Sequence, residues 1–171
     1  PDKASIHPEK FSSHYEGQRV SVHNPSYRQF LDELEAEGVL VCDVTDALAQ
    51  YRDRSGNAVY LATDTHWRPE AMELAAAELA QLIEEKIVLG ATAVDRDQRQ
   101  TSKDVKNLGD VAMMLKLRQN QGVFDEEVVT IRPVTDVAGE PWRPDPAAKV
   151  LVLGDSFANI YSLEMMNWGC A

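Results

Sequence analysis

Short apolar runs alternate with amphipathic stretches along this 171-residue chain. The runs lie at residues 39–44, 58–61, 128–131 and 149–154, and each has the length of a strand rather than of a helix. Between them, apolar residues recur at helical spacing, most clearly over residues 69–83. This alternation is typical of βαβ units. It predicts one α/β domain over residues 1–171, built on a parallel sheet flanked by helices.

Local signals place the helices more closely. Asn24 or Ser26 is a candidate N-cap for a helix that ends near Gly38, and Pro69 suits the first position of the longest helix. Further helical patterns are predicted over 105–115 and from Phe157 onward, whereas residues 1–24 show no period and are interpreted as an extended loop.

The net charge and the short apolar segments argue against nucleic-acid binding and against a membrane-spanning helix. The chain has 17 Lys and Arg residues against 28 Asp and Glu residues, so its net charge is 17 − 28 = −11. Binding to a nucleic-acid backbone needs a basic surface that this composition does not supply, and we expect no nucleic-acid partner. No apolar segment reaches the roughly 18 residues of a membrane helix, so this chain is not expected to span a bilayer.

The two cysteines, Cys42 and Cys170, have no metal-ligand spacing, and the residues leave open whether they form a disulfide. The chain begins at Pro1 without a methionine or a signal-like segment. We interpret it as a piece of a longer protein, with any targeting signal or membrane anchor lying outside it.

The strongest local motif follows the last apolar run and reads Gly154-Asp155-Ser156-Phe157. Ligands of open α/β sheets bind outside the carboxyl ends of strands, so Ser156 is well placed for a nucleophile whose own N–H contributes to an oxyanion hole. A second interpretation stays open, in which Asp155 or Ser156 caps the next helix.

The second motif is Asp64-Thr65-His66-Trp67, which follows the run at 58–61. A serine nucleophile needs a base, and the base needs a carboxylate that holds its tautomer. Asp64 and His66 are two apart, so in an extended segment they point to the same side. The alternative is a structural histidine beside an acid.

Other kinds of site have less support. Asp64, His66 and Asp155 could hold a metal ion, but no further ligand joins them at a suitable spacing. The chain has no glycine-rich phosphate loop and no G-x-S-x-G turn. We therefore expect no cofactor and no metal.

These motifs resemble those of the SGNH (GDSL-type) hydrolases. The Asp-x-His-Trp block precedes the Gly-Asp-Ser block, an order similar to that of the SGNH hydrolase-like domains of the alginate O-acetylation proteins, the AlgJ and AlgX type. Residues 1–10 resemble the loop after that family's first strand, and Gly109-Asp110-Val111-Ala112-Met113-Met114-Leu115 resembles its G-D-x-A-x-M-L helix. The resemblance covers about residues 1–162.

The resemblance implies a polysaccharide O-acetyltransferase of the periplasm or cell exterior. Ser156 would be the nucleophile, His66 the general base and Asp64 its orienting partner. The acetyl group would come through a membrane-bound O-acyltransferase partner. From their places beside the two motifs, Asn159, Trp67 and Asp155 are candidates for oxyanion or substrate contacts, and packing stays open as the alternative for Trp67. The other three histidines, His7, His14 and His23, are expected to be solvated loop residues.

Two alternatives remain open at this stage. A carbohydrate acetylesterase would use the same residues and differ only in taking water as the final acceptor. A non-catalytic glycan-binding or scaffold domain would keep the fold without the reaction.

Overall fold

The computed structural model of the chain describes residues 1–88, 98–118, 122–166 and 168. The chain divides into two compact units. The first comprises Pro1–Tyr60 and Glu70–Lys86, and the second comprises Leu61–Pro69 together with the described part of Ile87–Ala171.

The first unit is helical in its described residues. Its elements are α1 (Lys3–Ile6), short 3₁₀ turns at Pro8–Lys10 and Ser13–Tyr15, α2 (Tyr27–Ala36), α3 (Thr45–Ser55) and nearly all of α4 (Pro69–Lys86). Its core consists of the buried side chains Ile6, Leu31, Leu48, Val59, Tyr60, Ala71 and Ala75.

The helix ends in this unit follow the local sequence. The Asn24 carboxamide oxygen accepts hydrogen bonds from the N–H and hydroxyl of Ser26 just before α2. Past its other end, Gly38 adopts a φ of +79°, a left-handed conformation that glycine tolerates. Asp43 accepts hydrogen bonds from Thr45 at the start of α3. The predicted helices over 27–38 and 69–83 are confirmed.

The N-terminal segment differs from the predicted extended loop, because α1 and two 3₁₀ turns form within residues 1–24. His7 is buried rather than solvated. Its Nε2 accepts a hydrogen bond from the backbone N–H of Val59 at 3.1 Å, and its Nδ1 lies 3.3 Å from Glu9 Oε1. These contacts partner both ring nitrogens of His7 and so allow its burial, and the sequence pattern of a polar segment does not show that such partners exist.

The second unit contains β1 (Arg99–Gln100), β2 (Lys103–Asn107), α5 (Asp110–Met114), β3 (Glu127–Ile131), β4 (Val134–Thr135), α6 (Ser156–Asn159) and a 3₁₀ turn at Glu164–Met166. Strand β2 pairs antiparallel with β3, so that Val105 faces Val129, and β1 pairs antiparallel with β4. The predicted strand at 128–131 is confirmed as β3. The predicted helix over 105–115 is wrong in its first half, because Val105 lies in β2 and α5 begins only at Asp110.

The predicted strands at 39–44, 58–61 and 149–154 do not form among the described residues, where both ladders are antiparallel. Leu151 and Leu153 are 80% and 87% exposed. A strand exists only where a neighbouring strand supplies hydrogen bonds, and an apolar run does not reveal its neighbour. The parallel sheet therefore stays a prediction.

Two further observations complete the fold. The helix predicted after Ser156 is shorter than its apolar pattern indicates, since α6 stops at Asn159 and a separate 3₁₀ turn follows. In the part of the chain that is described, none of the helices combines the length and apolar character needed to cross a membrane.

Candidate active site

Asp64 and His66 lie in a tight loop that one backbone hydrogen bond closes. The N–H of Leu61 donates to the carbonyl of His66 at 3.1 Å, so residues 62–66 bend back rather than extend. The predicted extended geometry is therefore wrong. The two side chains meet all the same, because Asp64 Oδ1 accepts from the backbone N–H of His66 at 3.0 Å and lies 2.7 Å from its Nδ1.

The Asp64 carboxylate is 2% exposed and is surrounded by donors. Its second oxygen, Oδ2, accepts from the backbone N–H of Asp110 at 3.0 Å and from the indole Nε1 of Trp168 at 2.9 Å. Burial raises the pKa of Asp64, but the hydrogen bonds from Trp168, His66 and Asp110 outweigh burial and leave the pKa below its ordinary value. The group is an anion with both oxygens engaged.

The loop is held against the start of α5. The Thr63 hydroxyl donates to the carbonyl of Leu108, and the Asp110 carboxylate accepts from the backbone N–H of Thr65 at 2.7 Å. Gly109 has a φ of +90° and ψ of 151°, a region that is essentially restricted to glycine. A Cβ at Gly109 would lie 2.4 Å from the carbonyl oxygen of Thr63. Only glycine therefore allows the two backbones to approach this closely.

Strand β3 supports the same loop from another direction. Glu127 accepts a hydrogen bond from the backbone N–H of Ala62 at 2.7 Å and forms an ion pair with Arg68. Arg68 is the second residue after His66 in the chain. Glu127 thus ties both ends of the loop to the sheet of β2 and β3.

The far nitrogen of His66 is the unusual atom of this site. His66 is 4% exposed, and its Nε2 has no hydrogen-bond partner among the described residues. With the proton on Nδ1 and directed at Asp64, Nε2 carries a lone pair. An unpartnered buried nitrogen costs free energy, which a folded protein tolerates where the atom has a use. This nitrogen can accept a proton from an incoming group.

Ser156 is the first residue of α6. Asp155 caps this helix through a 2.9 Å hydrogen bond from the backbone N–H of Phe157, which confirms the capping interpretation for Asp155. The Asn159 amide donates to the carbonyls of Asp155 and Gly154 at 2.9 and 3.3 Å. Asn159 therefore directs its donors back along its own helix, and its predicted role at an oxyanion stays a prediction.

The residue after Ser156 packs on the residue predicted to be the base. The ring of Phe157 lies 4.8 Å from the ring of His66, centroid to centroid, and 5.4 Å from the ring of Trp67. The Trp67 indole donates to the Phe157 carbonyl at 3.0 Å, and the Tyr161 hydroxyl donates to the Trp67 carbonyl at 2.7 Å. These contacts hold the start of α6 beside the histidine loop and engage the half-buried Trp67 in packing.

In this conformation the Ser156 hydroxyl and His66 Nε2 are not hydrogen-bonded to each other. The geometry therefore brings the Asp64–His66 pair against Phe157, the residue after Ser156. Catalytic hydrogen bonds are often long in the absence of substrate and shorten when it binds.

The candidate metal ligands that lie together in the structure differ from the predicted set in one residue. Asp110, rather than Asp155, joins Asp64 and His66, with one potential ligand atom from each lying within 4.8 Å of the others. Both oxygens of Asp64 already accept two hydrogen bonds each, and His66 Nδ1 is bonded to one of them. This donor set fits a hydrogen-bonded acid–imidazole pair better than a cation site.

Sequence patterns indicate some of these residues and not others. The pairing of Asp64 with His66 follows from their spacing, and Gly109-Asp110 is visible as a motif. Trp168 gives no signal, because it lies 104 residues from Asp64 and follows no period.

Cys170 lies outside the described residues, and Cys42 is a free thiol whose pKa is raised by burial and by Glu78 and Asp43.

Comparison with known proteins agrees with the resemblance. Residues 1–168 match the family described as SGNH hydrolase-like domain, acetyltransferase AlgX. The probable alginate O-acetylase AlgJ of Pseudomonas fluorescens is 31% identical over 117 residues, which are 68% of this chain and 28% of that protein. The protein of the same description from Pseudomonas aeruginosa is 32% identical over 126 residues, 74% of this chain and 30% of its own length.

A solved structure is similar as well. The O-acetyltransferase domain of Pseudomonas putida AlgJ superposes with a TM-score of 0.58 at 24% identity, over 80% of this chain and 47% of that one. This likeness establishes the fold. The chain spans less than a third of the length of the two relatives above. Because the family match covers nearly the whole chain, the chain belongs to the family of SGNH hydrolase-like domains of the AlgX acetyltransferase type.

Proposed function

We propose that this chain transfers acetyl groups to polysaccharide hydroxyls through Ser156, His66 and Asp64. The observation that carries the proposal is the buried Asp64–His66 pair with its unpartnered Nε2, beside the residue that follows Ser156. The family membership and the names of the relatives, probable alginate O-acetylases, support acetyl transfer as the reaction.

The first half of the reaction forms an acetyl-serine. His66 Nε2 takes the proton of the Ser156 hydroxyl while the oxygen attacks the carbonyl of an acetyl ester. The tetrahedral intermediate collapses, the donor's oxygen leaves with the proton from His66, and the acetyl group stays on Ser156. Asp64, held as an anion by its donors, stabilises the imidazolium that forms between these steps. The Ser156 N–H is the oxyanion donor that we assign.

The second half returns the enzyme to its starting state. A sugar hydroxyl gives its proton to His66 Nε2 and attacks the acetyl-serine carbonyl. The Ser156 oxygen leaves, regains the proton from His66, and the acetylated sugar is released. Water in place of the sugar would give acetate, which is the acetylesterase alternative.

The remaining predictions belong to the same proposal. The resemblance supports a periplasmic or exported location and a membrane-bound O-acyltransferase as the source of the acetyl group. The net charge of −11 opposes a strongly anionic acceptor, so a neutral glycan is as acceptable as an alginate-like one. The parallel sheet also belongs to this proposal, and the match of the fold to a solved family member supports it.

The deciding experiment is mass spectrometry of the intact protein with p-nitrophenyl acetate as the donor. We expect one acetyl group on Ser156, none in Ser156→Ala, and normal labelling in Ser162→Ala, which removes an exposed hydroxyl on the same segment. Transfer of the label to an added oligosaccharide supports the transferase. Acetate release that ignores the sugar supports the esterase. A wild-type protein that takes no label and binds glycan as well as Ser156→Ala does would establish the binding-domain alternative.

A further inference from the structure

Trp168 is buried against the anion of the Asp64–His66 pair. Its side chain is 1% exposed, and its indole N–H points at Asp64 Oδ2 at 2.9 Å. A buried indole N–H must find an acceptor, and here the acceptor is a carboxylate, which makes the hydrogen bond charge-assisted. Trp168 therefore stabilises the Asp64 carboxylate through this hydrogen bond in addition to its packing.

Both oxygens of the Asp64 carboxylate take part in hydrogen bonds. Oδ1 faces the histidine, with hydrogen bonds to the backbone N–H and Nδ1 of His66, whereas Oδ2 faces the backbone N–H of Asp110 and the Trp168 indole. Of these two Oδ2 contacts, the one from Trp168 comes from a side chain. Its removal would take a donor from Oδ2 and weaken the hold on the orientation of the carboxylate toward Nδ1.

The segment that carries Trp168 is itself anchored near the site. The Asn107 amide donates to the carbonyl of Met166 at 3.4 Å, and the Asn107 oxygen accepts from the backbone N–H of Gly109 at 3.4 Å. Asn107 is buried at the end of β2, two residues before Gly109. Asn107 therefore bonds to Gly109, the residue before Asp110, and to Met166, two residues before Trp168.

We propose that Trp168 is a positioning residue that holds the Asp64 carboxylate toward His66 and thereby keeps the histidine proton on Nδ1. This inference rests on the proposed function of Asp64 and His66. Trp168 does not touch the reacting atoms in this arrangement. It acts by leaving Nε2 as the nitrogen that accepts the Ser156 proton.

The test compares Trp168→Phe with Trp142→Phe, a matched change at an indole that is 53% exposed. In protein labelled with ¹⁵N-histidine, we expect the wild type and Trp142→Phe to show a protected Nδ1–H for His66. We expect Trp168→Phe to show faster exchange of that proton and an added Nε2–H tautomer. For p-nitrophenyl acetate as the acetyl donor, the kcat of Trp168→Phe should fall about tenfold with KM unchanged. This is the size expected for a lost hydrogen bond to a charged group.

A variant that keeps the bicyclic shape guards against misfolding. The sulfur analogue of tryptophan, 3-benzothienylalanine, placed at position 168 retains the packing and removes the N–H donor. An unchanged Nδ1–H signal in either folded variant would overturn the inference. The proposed function fails separately, if wild-type Ser156 takes no acetyl group, and the ring-nitrogen signals of His66 report on Trp168 even then.

Discussion

The indole nitrogen of Trp67 donates a hydrogen bond to the backbone carbonyl of Phe157 at 3.0 Å. Trp67 directly follows His66, and Phe157 directly follows Ser156. One hydrogen bond between side chain and backbone thus joins the neighbours of the two residues for which we propose a proton transfer. The Phe157 ring completes the connection by packing on both His66 and Trp67.

Replacing Trp67 by Phe should therefore loosen α6 from the histidine loop. The variant keeps an aromatic ring against Phe157 but loses the N–H donor. We expect a loss of about 1 kcal/mol in unfolding free energy and a roughly tenfold slower formation of acetyl-Ser156. Urea unfolding and the rate of acyl-enzyme formation measure the two effects. A rate equal to wild type in a folded protein would show that the hydrogen bond does not position Ser156.

Gly109→Ala should destabilise the protein strongly. The added Cβ would lie 2.4 Å from the carbonyl oxygen of Thr63, a backbone atom that cannot swing aside. Gly139→Ala is the matched control, because Gly139 also has a positive φ, +88°, but its Cβ would meet nothing within 4 Å. We expect about 1 kcal/mol of strain for Gly139→Ala and about 3 kcal/mol for Gly109→Ala by urea unfolding. Equal losses would mean that the close approach is unimportant.

Gly154→Ala should act on Ser156, the proposed nucleophile, through the first turn of α6. A Cβ at Gly154 would lie 2.3 Å from the Cβ of Ala158, so the backbone just before Ser156 must shift. We expect slower acylation of Ser156 in Gly154→Ala and recovery in the double variant Gly154→Ala/Ala158→Gly, which removes the opposing carbon. Ala158→Gly alone should cost about 1 kcal/mol of stability and little activity. Additive effects in this double-mutant cycle would rule out the contact as the cause.

His7 should make stability depend on pH in the weakly acidic range. Burial lowers its pKa below the ordinary 6.5, outweighing the opposing effect of Glu9. The unfolded chain then binds the proton more readily than the folded one. The stabilisation that neutral His7 contributes to the unfolding free energy is therefore complete above about pH 6.5 and is lost as the pH falls through the pKa of His7 in the folded protein. Protonation of Nε2 would also remove the acceptor of the Val59 N–H.

The variant His7→Gln offers an amide oxygen to Val59 without titrating in this range. We expect its unfolding free energy to be nearly independent of pH between about 5 and 6.5, in contrast to wild type. His14→Gln, at an exposed position, should retain the wild-type slope. A wild-type slope in His7→Gln would assign the dependence to another group.

Local sequence was sufficient to predict those elements whose stabilising contacts lie within one segment of the chain. Helices α2 and α4 follow from capping residues and apolar spacing, and the Asp64–His66 pair follows from two residues two positions apart. The runs at 39–44 and 149–154 show the limit of such patterns. Apolar character indicates that a segment prefers to be covered, whereas a strand also needs a partner whose identity is not written in the segment. The same limit applies to the predicted extended geometry of Asp64 and His66, which a hydrogen bond from Leu61 to His66 replaces with a bend.

The family could be predicted from sequence, and so could the hypothesis of a serine nucleophile with a histidine base and an acid, because these are residue types in recognisable motifs. The tertiary structure alone decided which groups surround them. It placed Trp168 and the Gly109–Asp110 turn on Asp64, and Phe157 on His66, across separations of 45 to 104 residues. Such contacts arise from packing between distant segments, and no local pattern encodes them. The physical reason is that a buried anion must collect its donors from wherever the fold brings them.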